Sequence, residues 1–142
     1  MTKNLIWLFI ILIGFGRVLG QNHQITVTVK GLHNNKGKVI LYLFNSEAGY
    51  PQDRSKAFKT ASAIITNNTC AIVLSEIPAG TYAIGCFHDE NDNGKLDTNL
   101  LGIPTEGVGA SNNAKGSFGP PKFKDAKFMV EKDMAMTITV SH

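Results

Sequence analysis

Arginine and tryptophan are scarce in this sequence. Its single tryptophan, Trp7, and one of its two arginines, Arg17, fall within the first twenty residues, which leaves Arg54 alone for the rest of the chain. Carbohydrate and nucleic-acid surfaces therefore lack two of their commonest contacts. No heptad pattern, internal repeat or low-complexity tract occurs, which excludes coiled coils and solenoids. The one long apolar run, Leu5 to Ile13, is shorter than the ~20 residues of a membrane-spanning helix. An excess of one charge is missing too, as shown below, so no nucleic-acid partner is expected.

What is present begins with a leader. Lys3, the apolar run, then Gly14 to Gly20 with Val18 and Gly20 at the minus-three and minus-one positions read as a secretory signal peptide over residues 1–20, cleaved before Gln21. The residue after the small one is Gln and not Cys, so no lipid anchor is expected. The mature part is expected to be periplasmic or extracellular, without a membrane span. Cleavage removes Lys3 and Arg17 from the 14 bases and nothing from the 11 acids, leaving 12 against 11 and a net charge of +1. The remaining 21–142 suffice for one domain with one core, expected as a monomer.

Short alternating segments separated by turn residues dominate this part. Ile25, Val27 and Val29 alternate with Thr26, Thr28 and Lys30, as in a half-buried strand. Val39 to Phe44 is apolar throughout, which predicts a strand covered on both faces. Ser46 to Lys59 breaks the pattern and fits at most a short helical turn on each side of Pro51. Further strands are expected over 61–66, 70–74, 82–88, 126–130 and 136–140, seven in all. An antiparallel all-β sandwich of the Greek-key type follows.

Two cysteines remain after cleavage, Cys70 and Cys86. If the flanking strands make a hairpin centred on Pro78, the two face one another, and export permits a disulfide adding ~3 kcal/mol. The alternative is a pair of reduced core thiols on strands of opposite sheets. Two cysteines without clustered histidines do not suggest zinc.

Residues 89–125 differ in kind, being rich in Gly and Asn and far longer than the ~4 to 6 residues of ordinary connections. Within them, Asp89-Glu90-Asn91-Asp92-Asn93-Gly94-Lys95-Leu96-Asp97 has the spacing of a calcium loop. Oxygen-bearing side chains alternate at Asp89, Asn91 and Asn93, Gly94 permits the reversal, Lys95 offers a carbonyl and Asp97 a carboxylate. Leu100 stands where an EF-hand has its bidentate Glu, so extra oxygens would come from Glu106 or Asn99, and affinity would be weak. The competing reading is a metal-free turn in which these side chains bond nearby amides. His88 is expected to be structural, and the crowded carboxylates do not resemble a glycosidase pair. Phe118 and Phe123 are expected to pin the long loop, and Asn112 and Asn113 to cap its backbone.

His88 to Asp97, Leu101-Gly102-Ile103-Pro104, Ser111-Asn112-Asn113-Ala114 and Phe118-Gly119-Pro120-Pro121 together resemble the exported bacterial domain-of-unknown-function family numbered 2141, over nearly all of 25–140. The resemblance implies no activity, substrate or catalytic residue. Through Ile77-Pro78-Ala79-Gly80-Thr81-Tyr82 the chain is also similar to prealbumin-like and carboxypeptidase-regulatory-like sandwiches, which bears on fold alone. The expectation is an exported, non-enzymatic module that meets an unknown protein or glycan at the cell envelope, with calcium as its one candidate cofactor. An alternative is carbohydrate or envelope binding by the 98–123 loop, with Tyr50, Phe118 or Phe123 as stacking platforms. A metal-dependent hydrolase is a third.

Overall fold

The computed structural model describes residues 20–142; the leader expected over 1–20 lies outside them except for Gly20. Eight strands form two sheets. One sheet has the order β4-β1-β8, from β1 (Asn22–Lys30), β4 (Cys70–Pro78) and β8 (Met134–Thr139). The other has the order β3-β2-β5-β6, from β2 (Lys38–Phe44), β3 (Lys59–Ile64), β5 (Gly80–Asp89) and β6 (Val108–Ala110), with β7 (Phe128–Val130) also on β5.

Alternation supplies the core. Ile25, Val27 and Val29 of β1 and Ile72 and Leu74 of β4 point inward, meeting Leu41, Leu43, Ile84 and Ile138 in one cluster that both sheets share. Each such side chain contributes about 1.5–3 kcal/mol through burial. β2 is covered on both faces, as its unbroken apolar run predicts. Its second face belongs to a smaller cluster of Ile40, Tyr42, Phe44 and Phe87, roofed by Tyr50, Ala57, Leu96, Val108 and Phe123. The segments after β2 and β5 are thereby tied to the outside of the sheet.

Three expectations are corrected. The sheets are not wholly antiparallel: β8 runs parallel to β1, Ile25 beside Met134 and Val29 beside Ile138. The chain leaves β7 in one sheet and enters β8 in the other, where the Asp133 carboxylate accepts the Gln24 N–H at 2.8 Å. The eighth strand, β6, lies inside the long 89–125 segment, which also holds the short helix α1 (Phe123–Ala126). Lastly, no hairpin forms at Pro78. β4 pairs with β1 and β5 with β2, so Ala79 links strands of opposite sheets, and Tyr82 Oη donates to the Pro78 carbonyl at 2.9 Å across the bend.

That bend decides the cysteines. Cys70 and Cys86 are free, buried in the shared core on strands of different sheets, so the hairpin disulfide is not made. Burial pushes the Cys86 thiol up to about 12, with Cys70 adding to the effect. A strand with one apolar face looks the same whether it faces its successor across a core or lies beside it in a sheet.

Candidate functional site

The end of β5 carries the site. Asp89 is fully buried. Its Oδ1 accepts the Asn93 N–H at 3.0 Å and its Oδ2 the Gly94 N–H at 2.9 Å. Glu106, also buried, closes the other side: Oε1 accepts from the Glu90 N–H and Oε2 from the Asp97 N–H, both at 3.0 Å. Four charge-assisted bonds from two carboxylates thus hold the reversal in shape. Gly37 lets the β1–β2 connection lie against this point, since a Cβ there would stand 1.8 Å from the Asp89 carbonyl oxygen, and its φ is +64°. Lys38 Nζ, 2.7 Å from Asp92 Oδ1, and Arg54, donating to the Gly94 carbonyl at 2.8 Å, tie the rim to neighbouring segments.

Among the residues singled out for calcium, the structure brings Asn91, Asn93 and Asp97 together. Asn91 Nδ2 donates to Asp97 Oδ2 at 2.6 Å, and Asn93 Nδ2 to both Asp97 oxygens at 3.0 and 3.2 Å. The amide oxygens cap the turn: Asn91 Oδ1 accepts from Asn93 N–H and Asn93 Oδ1 from Lys95 N–H. Asp89 faces the same turn with both oxygens on backbone amides. Asn99 stands apart, its Oδ1 accepting from the Leu101 and Ile103 amides. A cation among Asn91, Asn93 and Asp97 would have to replace the amide–carboxylate bonds by rotating both amides to present oxygen.

Beyond this turn lies a groove of about 1100 Å³, bounded by segments 51–54, 94–104 and 113–121 over the β5–β6 part of the sheet. Leu101, Ile103, Phe118 and Pro120 line it together with the cationic Arg54, Lys95 and Lys115. Leu100 and Phe118 are fully exposed, Leu101 83% and Ile103 55%. Phe118 therefore does not pin the loop, whereas Phe123 does, edge-on to Tyr50 at 5.7 Å between centroids. Tyr50 packs in turn against Phe44 and donates its hydroxyl to the Ile84 carbonyl, so burial raises its pKa well above that of a free phenol. These two rings are consumed in packing and do not offer stacking faces.

The anchoring role of Ser111 had no signal in the sequence. Ser111 is fully buried, accepts the Ile84 N–H at 2.9 Å and donates to the Ala126 carbonyl at 2.6 Å. Asn112 Nδ2 donates to the carbonyls of Asp125 and Lys127, and Asn113 Oδ1 accepts the Thr139 N–H, so these asparagines bond distant segments as well as shaping their own turn. His33 and His142, remote in sequence, approach Glu90, which in turn faces the buried His88.

A family model described as "Uncharacterized protein conserved in bacteria (DUF2141)" matches residues 27–139. No curated protein and no solved structure matches the chain. The matched span runs from β1 to β8 and takes in the buried Asp89 and Glu106 carboxylates and the whole groove, and the chain belongs to this bacterial family.

Proposed function

We propose that the chain is an exported, non-enzymatic β-sandwich module of Greek-key, prealbumin-like type, which holds an apolar, acid-flanked segment of a partner protein at the cell envelope in the groove. Export rests on the sequence of residues 1–20, and the topological type on the link through Pro78 and Tyr82. The observation that carries the reading is the display of Leu101, Ile103 and Phe118 at solvent along the groove, with Leu100 exposed beside them. Exposed apolar side chains grouped at a concave site are a recurrent mark of partner binding. Arg54, Lys95 and Lys115 beside them favour an acidic flank on the partner. The two buried carboxylates support a non-catalytic role, because all four of their oxygens are engaged by backbone amides. A glycan ligand is supported by Phe118 alone.

A photo-crosslinking side chain at position 118, introduced in the cells that make the protein, tests the proposal. A discrete adduct is expected, lost on Leu101→Ser and absent when the probe sits at the equally exposed Ile64 on β3. Equal labelling from both positions would rule the groove out.

A second reading, calcium at residues 89–97, is favoured by the meeting of Asn91, Asn93 and Asp97. Its ligands would be Asp89, Asn91, Asn93, the Lys95 carbonyl and Asp97. A rise in Tm at several millimolar calcium, abolished by Asp97→Asn, supports it; the same Tm with calcium and with chelator removes it.

A further inference from the structure

Three of the chain's four histidines, at positions 33, 88 and 142, gather with Glu90 where the β1–β2 connection, the end of β5 and the residues after β8 meet. His33, Glu90 and His142 each bring one ligand atom within 4.8 Å of the other two. The His33 and His142 rings are stacked, with centroids 3.3 Å apart and planes at 10°. Both are exposed, so an ion can reach them from solvent. Glu90 Oε2 accepts from Asn34 Nδ2 at 3.0 Å, which leaves Oε1 for the site. His142 Nε2 lies 3.3 Å from the Gly31 carbonyl. A carbonyl outside the site that takes one ring N–H and frees the other nitrogen is the usual support of a metal-binding imidazole.

A second observation comes from beneath. His88 is fully buried, and its Nε2 lies 2.8 Å from the Lys36 carbonyl oxygen. A carbonyl only accepts, so Nε2 donates to it and Nδ1 is the ring atom turned toward the site. That Nδ1 is the one buried side-chain polar atom among the described residues without a partner, and it faces Glu90 Oε1 at 3.8 Å. A buried polar atom without a hydrogen bond costs free energy, and this one stands behind the carboxylate that the two exposed rings approach.

We propose that His33, Glu90 and His142 bind a divalent transition ion of the zinc class, with the buried, unpartnered His88 Nδ1 lying behind Glu90. Donor atoms about 2.0–2.2 Å from one ion lie at most about 4.4 Å apart, close to the 4.8 Å within which the three ligand atoms already stand. Imidazole donors select zinc, nickel or copper over calcium and magnesium. The site is separate from the groove and uses none of the oxygen ligands at Asn91, Asn93 or Asp97.

The test is calorimetric titration of the untagged, metal-stripped full chain with Zn²⁺, with Ca²⁺ in parallel. One Zn²⁺ per chain is expected, undisturbed by millimolar Ca²⁺, with the ring-proton NMR signals of His33 and His142 shifting. His33→Gln and His142→Gln, both at exposed positions, should each weaken binding at least about tenfold, while His23→Gln leaves it unchanged. No zinc binding, or binding unaffected by the first two variants, overturns the proposal. Far-UV circular dichroism confirms that each variant is folded, and His88→Gln need not fold for the result to stand.

Discussion

A buried carboxylate with each oxygen on a backbone N–H contributes chiefly to the fold, because removing it takes a charged acceptor from two backbone donors at once. Asp89 holds the Asn93 and Gly94 amides in this way. Asp89→Ala is expected to lower stability by about 3 kcal/mol or more, since bonds to charged acceptors contribute about 1.5–3 kcal/mol each. Asp92→Ala, three residues on, breaks an exposed pair with Lys38 and is expected to change stability by at most about 1 kcal/mol. Urea denaturation of the two variants compares them directly, and equal losses would refute the anchoring role. The thiols supply a second residue-scale test. Burial raises the pKa of Cys86 to about 12 from an ordinary 9.0, and burial raises Cys70 as well. The unfolded chain therefore loses these protons first as pH rises. The thiols' contribution to stability is full below the unfolded value and is lost from there up through the folded one. The urea midpoint should fall as pH rises from about 9 toward 12, and fall less steeply in Cys86→Ala.

At the scale of elements, what the sequence displays is a strand's own faces, and what it hides is the strand's neighbour. The alternation in β1 and the unbroken run in β2 reveal one- and two-sided burial because the side chain reports its surroundings directly. The bend at Pro78 and the crossing from β7 to β8 look like hairpin links because either geometry leaves one apolar face, so pairing, parallel direction and the state of the cysteines were not legible. β6 was invisible for another reason: three residues, two of them Gly109 and Ala110, carry no pattern. In the calcium-like turn the spacing that gathers Asn91, Asn93 and Asp97 was legible. That Asp89 turns to backbone amides was one of two readings the spacing left open, because an amide acceptor and a metal ligand call for the same side chain, and only the matching role of Glu106 was not legible. The bend itself is testable. Tyr82→Phe removes the bond to the Pro78 carbonyl and keeps the ring in the core, so a loss of about 1 kcal/mol is expected. No change in the urea midpoint would mean that the bond does not hold the two sheets together at this corner.

For the molecule as a whole, the two-sheet core and the outer cluster on β2 and β5 separate stability from display. The shared core holds the sheets together, and the outer cluster fastens segments 45–58 and 90–127 to the second sheet through Tyr50, Leu96 and Phe123. Leu101 and Phe118 belong to neither, so they add exposed apolar surface without adding packing. The same distribution explains why the histidine cluster escaped the sequence: its members come from three connections that only the closed fold brings to one end. If the exposed residues serve binding alone, Leu101→Ser with Phe118→Ser should leave the urea midpoint of the isolated protein within about 0.5 kcal/mol of the parent, as for surface changes elsewhere. The double variant should also be more soluble, since it removes a contiguous apolar patch. A loss of 2 kcal/mol or more would instead place these two side chains in the packing of the fold, and the groove would then lose its claim to be a surface kept open for a partner.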